Sequence, residues 1–131
     1  GTERAHRGFR TRDIRDAGAL LALGSDWPVA PLDARAIMAD SQLRRRSGHP
    51  DDAPVSPKQS LTPLMALEGY TTHAAIAQGD ADTAGTIAVG SRADFTAFAA
   101  DPLAAPPDEL ADAPVVATLV AGTFTYRSAY V

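Results

Sequence analysis

Ala19-Leu20-Leu21-Ala22-Leu23-Gly24-Ser25-Asp26-Trp27-Pro28-Val29 decides how this chain is read. An apolar run of this length, bounded by glycine and proline, predicts a fully buried strand. Such strands belong mostly to parallel sheets covered on both faces, and so to α/β folds. Asp26 then sits just past the carboxyl end of the strand, where α/β folds place ligands and chemistry. A carboxylate there can hold a metal or accept a proton. Two readings stay open at this point, because Asp beside Ser and before Pro also forms Asx-turns and caps helices with no chemistry involved.

Working outward, Phe9 to Ala17 reads as the end of a helix, with Gly18 as its cap. Asp33 can cap a second helix running to about Arg46, with Leu32, Ala36, Ala39 and Leu43 on one face. Gly48 to Pro54 is a loop by its turn residues. Ser56-Pro57 opens a short turn. Thr62-Pro63 opens a helix, a capping residue followed by proline at the first helical position, with Leu61, Leu64, Met65 and Leu67 mostly inward. Tyr70 to His73 breaks or re-caps this helix, which resumes through Ala77. After Gly79 the pattern changes. Ile87 and Val89 alternate with small residues as in a half-buried strand, and Asp94–Ala99 alternates again. Residues 101–114 read as a proline-rich connection. Val115–Val120 and Thr123–Tyr126 read as two strands joined by a short hairpin at Ala121-Gly122.

Composition sets outer bounds. Of 131 residues 45% are hydrophobic, which suits a globular core. The net charge of −4 gives no basic surface for nucleic acid. The one basic run, Arg44-Arg45-Arg46, reads as a solvated helix end that suits the helix dipole. No cysteine is present, which excludes disulfides, thiolate metal sites and a cysteine nucleophile and is compatible with the cytoplasm. The apolar runs are too short to span a bilayer, and the opening Gly1 to Gly8 reads as loop without the apolar core of a signal peptide.

Three stretches in order resemble the amidohydrolase superfamily, specifically its amidohydrolase-3 or YtcJ-like branch. They are the Gly24–Val29 hexapeptide, Leu61-Thr62-Pro63-Leu64-Met65-Ala66-Leu67-Glu68-Gly69-Tyr70-Thr71, and Gly85-Thr86-Ile87-Ala88-Val89-Gly90-Ser91-Arg92-Ala93-Asp94-Phe95. The resemblance implies an α/β fold. Residues 1–79 would be the last βα segment of a (β/α)₈ barrel and residues 80–131 strands of a carboxyl-terminal β-sandwich. A whole barrel takes about 250 residues, so the barrel is expected to be incomplete and the chain to be the carboxyl-terminal portion of a longer enzyme or a truncated gene product. The implied activity is metal-dependent hydrolysis of a non-peptide carbon–nitrogen bond in a small amide-type substrate. Asp26 is the implied catalytic residue and metal ligand, and Trp27 and Pro28 shape the substrate pocket or merely fix the turn. The implied cofactor is a divalent metal, zinc by expectation, whose other ligands this chain lacks, so the chain alone is expected to be inactive. The alternative is a non-catalytic module that packs or oligomerises through an exposed barrel edge, or a family member that has lost its metal.

Other motifs lead nowhere. Gly85 to Gly90 has phosphate-loop spacing, but Ser91-Arg92 stands where Lys-Ser/Thr is needed. Ser25 lacks the Gly-x-Ser-x-Gly elbow. His6 and His49 read as solvated, His73 as bonded to nearby backbone, and Glu68 as surface charge. No two histidines have metal-ligand spacing.

Overall fold

The computed structural model describes residues 2–5 and 7–129. The short helix α1 (Thr2–Ala5), where sequence predicted loop, is followed by α2 (Thr11–Asp16) and α3 (Ala34–Leu43). A 3-10 turn at Pro57–Gln59 precedes α4 (Pro63–Tyr70) and α5 (Thr72–Gln78). Strand β1 (Phe95–Phe98), helix α6 (Pro107–Asp112) and strands β2 (Val115–Val120) and β3 (Thr123–Arg127) complete the order.

Local chemistry accounts for most of these elements. The Asp33 side chain accepts the Arg35 N–H at 3.0 Å and starts α3. The helix ends at Leu43, three residues before the predicted Arg46, because Arg44 is left-handed at φ 58°. Thr62 Oγ1 accepts the Met65 N–H at 3.2 Å and, with Pro63 at the first position, starts α4. Thr71 (φ −122°, ψ −95°) breaks α4 from α5 where a break was expected.

The sheet is antiparallel, in the order β1-β2-β3. Ala121 and Gly122 both take positive φ between β2 and β3, the backbone of a tight hairpin turn. Alanine reaches that conformation only at a cost. The turn is held from outside: Asp94 Oδ1 accepts the Ala121 N–H at 2.7 Å and the Ala93 carbonyl accepts the Gly122 N–H at 2.9 Å.

The core is Met38 of α3, Ala66 of α4 and Leu110 of α6, with Leu67, Tyr70, Phe98 and Ala105 packed against it. Four predictions are corrected here. The 101–114 connection contains α6, whose Leu110 is fully buried; its prolines start the helix instead of excluding it. Leu64 faces out while Leu61 and Ala66 are buried. Ile87 and Val89 form no strand and are exposed, since no described strand pairs with them. Arg45 is not a solvated charge: it grips Asp108 of α6 with both Nη atoms (3.1 and 2.6 Å) and so ties the end of α3 to α6.

The chain exposes 8599 Å². A folded monomer of its mass, 13.6 kDa, exposes roughly 6,600 Å². The excess falls partly on large apolar side chains, among them Leu20, Trp27, Val29 and Leu32. These apolar side chains are open to solvent.

Two outcomes follow from the packing. Leu110→Ala destabilises the chain by about 2–5 kcal/mol and Leu64→Ala by under about 1 kcal/mol, read by urea unfolding; equal effects would contradict the core assignment. The second concerns acid. Hydrogen bonds hold four carboxyls below their ordinary value: Gln59 at Asp13, Arg35 at Asp33, the Ala121 N–H at Asp94 and Arg45 at Asp108. Their stabilisation is complete above the ordinary carboxylate pKa of about 4 and is lost as pH falls through the lowered values. The thermal midpoint therefore drops on acidification below pH about 4, and a flat profile there would contradict the pairing.

Candidate functional site

Helix α2 ends with the Gly18 N–H on the Arg15 carbonyl (2.9 Å) and the Ala19 N–H on the Ile14 carbonyl (3.2 Å), as the expected glycine cap requires. The chain then runs out extended. Leu21, Leu23 and Ser25 are half-buried, while Leu20, Ala22 and Gly24 between them are exposed. The period of two gives the segment one covered face, but the predicted strand Ala19–Leu23 is not formed as a strand, since no described chain pairs with it. The predicted burial on both faces is corrected: no described strand pairs with this segment, and α4 and α5 cover a single side.

That side is held closely. The Leu23 N–H donates to the Gly69 carbonyl at 2.9 Å. The break at Thr71 leaves this carbonyl in the last turn of α4, where carbonyls lack a helical partner. A side chain at Gly69 would find no room. A Cβ there would meet Leu23 Cγ at 2.7 Å and the Leu21 carbonyl oxygen at 3.2 Å. Two residues earlier, the Leu21 N–H donates to Nδ1 of buried His73 at 3.4 Å.

The anchored segment delivers the turn of interest. Asp26 has φ 50°, a left-handed backbone that Asp enters more readily than most residues. Its carbonyl accepts the Val29 N–H at 2.8 Å, the Ser25 carbonyl accepts the Ala30 N–H at 3.1 Å, and the Trp27–Pro28 peptide bond is cis. Asp26 is exposed, and no described residue donates a hydrogen bond to its carboxylate. The Asx-turn and capping alternative therefore does not describe it: the turn closes through main-chain carbonyls, and Asp33 caps the next helix. Trp27 (64% exposed) and Pro28 follow on the same open turn.

The chain's own donors do not build a metal centre. Among the described residues no three His, Cys, Asp or Glu side chains gather in reach of one ion. His49 is exposed, and His6 lies outside the described residues. Glu68, predicted to be surface charge, pairs with Arg15 of α2, which also contacts His73. Sequence reasoning missed this cluster, whose partners stand 53 and 58 positions apart with no local pattern to join them. A shallow depression of the surface lies elsewhere, lined by Ala99, Asp108, Asp112 and Pro114 among others, and includes no residue of the Asp26 turn.

Comparison with known proteins fits this geometry. Residues 1–126 match the model of the amidohydrolase family. The chain is 30% identical over 128 residues to YtcJ of Bacillus subtilis (strain 168), whose name describes it as an amidohydrolase, covering 97% of this chain and 24% of that protein. The crystal structure of an amidohydrolase from Thermotoga maritima MSB8 superposes with a TM-score of 0.66 at 21% identity, over 92% of this chain and 26% of that one. The chain belongs to the amidohydrolase family, in its amidohydrolase-3, YtcJ-like branch. It spans about a quarter of the length of the relatives it matches. No helix among the described residues is long and apolar enough to cross a membrane.

The close approach at Gly69 is directly testable. Gly69→Ala forces the 19–23 segment off α4, costs about 1–3 kcal/mol of stability and speeds hydrogen exchange at the Leu23 amide. Unchanged exchange at Leu23 would contradict the contact.

Proposed function

We propose that this chain supplies one wall of the active site of a hydrolase that cleaves non-peptide carbon–nitrogen bonds in a small amide-type substrate. One observation carries the reading: a family member presents an exposed Asp26 carboxylate with no partner among the described residues, at the end of an anchored segment. The left-handed backbone of Asp26 adds support, since such residues concentrate at functional sites.

In this reading Asp26 is the proton carrier. Water adds to the substrate carbonyl carbon, forming a C–O bond, and Asp26 takes the proton that water gives up. The C–N bond then breaks as Asp26 passes that proton to the leaving nitrogen. Trp27 and Pro28 line the substrate side of the turn. Family resemblance adds a divalent metal, zinc by preference, to the complete enzyme. Catalytic zinc takes three protein ligands and an open position. This chain's described residues bring a single carboxylate, so the remaining ligands come from other polypeptide and the isolated chain is inactive.

A second reading is favoured by the uncovered apolar surface. The chain is then a packing module that associates through the open edge of the 19–25 segment, without chemistry of its own.

Two measurements separate these readings. The purified chain is expected to hold no stoichiometric zinc and to turn over no amide; bound zinc with turnover lost in Asp26→Asn would contradict its incompleteness. In a complete enzyme containing this chain, Asp26→Asn is expected to lower kcat by about 10²–10⁴-fold, and an unchanged kcat would leave only the packing reading.

A further inference from the structure

Three elements meet around His73, and what they offer its ring is unusual. From the extended segment comes the Leu21 N–H, 3.4 Å from Nδ1. From α2 comes Arg15 Nη1, 3.4 Å from Nδ1 and 3.2 Å from Nε2. From α4 comes Glu68, which takes the other arm of the same guanidinium. His73 is 7% exposed.

The near-equal distances to the two ring nitrogens fix where the guanidinium lies. In the plane of the ring they would drive Nη1 into the carbon between the nitrogens, so Arg15 lies over the ring face. Arginine stacks well on such faces. A neutral imidazole has one nitrogen that accepts and one that donates. The Leu21 N–H needs a lone pair on Nδ1, which places the proton on Nε2. Arg15 Nε is buried without a hydrogen-bond partner among the described residues, and the guanidinium is held by Glu68, the ring and the Ala19 carbonyl, 3.5 Å from Nη1.

We propose that His73 is a positioning residue for Asp26. Neutral, protonated on Nε2 and clamped under Arg15, it fixes Leu21 through Nδ1, and with the Gly69 carbonyl on Leu23 it sets the register in which the segment delivers the Asp26 turn. The proposal rests on reading Asp26 as the functional carboxylate, but its own test does not use hydrolysis.

That test is nuclear magnetic resonance on the full 131-residue chain. Nitrogen shifts of the His73 ring are expected to show the Nε2–H form. His73→Leu, which has no acceptor, is expected to raise exchange at the Leu21 amide about tenfold, the loss of one hydrogen bond, while Met38 and Leu110 amides keep their protection. His73→Asn places an acceptor where Nδ1 stood and restores slow exchange at Leu21; His73→Gln, whose amide reaches the Nε2 position, does not. Any purely structural role would treat the two amides alike. An Nδ1–H ring, Leu21 exchange in His73→Leu within about twofold of the parent with the core intact, or equal behaviour of the Asn and Gln variants overturns the proposal. Should the Leu variant fail to fold, the ring tautomer and the Asn–Gln contrast decide. Asp26→Asn leaves Leu21 exchange unchanged whatever it does to hydrolysis, so the two readings fail separately.

Discussion

The contact of the 19–23 segment with Gly69 is the constraint on which the candidate site depends. A strand isolated from a sheet has no ladder to fix its register, and a slip of one residue would exchange its covered and open faces. Here the register is fixed by helices. The missing side chain at Gly69 lets Leu23 and the Leu21 carbonyl come close, the broken helix leaves the Gly69 carbonyl in a terminal turn, and the Leu23 N–H takes it. The break at Thr71 is thus part of the site's construction as well as a helix end.

This anchoring separates two jobs along one short stretch. Leu21 and Leu23 face α4 and α5 and hold position. Asp26 and Trp27, past the last anchor, remain open. The role proposed for Asp26 calls for a rigid support and a free head, and helices behind the segment supply the first without occupying the second. The same arrangement contributes to the surplus of exposed apolar surface: the segment's other face, with Leu20, is largely open.

What the sequence made legible was local. Thr62-Pro63 and Asp33 work through bonds to residues two or three positions away, and each did what its residue type dictates; the Ala121-Gly122 turn was legible from its glycine, although Ala93 and Asp94 hold it from outside. The two strands from Val115 onward were legible because a hairpin pairs neighbours in sequence. The failures have physical causes too. Helix α6 was hidden by prolines that serve as its opening, and Leu110 gave too short an apolar pattern to announce a core residue. The Ala19–Leu23 run was read as buried on both faces because apolar composition cannot show whether a neighbour is present. Arg15, Glu68 and His73 meet only through the tertiary fold, and Arg45 was read as solvated because its partner Asp108 lies 63 positions away.

The central claim is that the Asp26 turn faces into a site closed by polypeptide beyond this chain, and Trp27 is its natural reporter, being the only tryptophan among the 131 residues. With 5-fluorotryptophan incorporated in this chain alone, the fluorine signal of Trp27 reads solvent access for the chain by itself and for the chain joined to the further polypeptide that the proposal requires. The account predicts a solvent-exposed signal in the chain by itself and a shifted, shielded signal in the completed protein. An identical, fully exposed signal in both would contradict it.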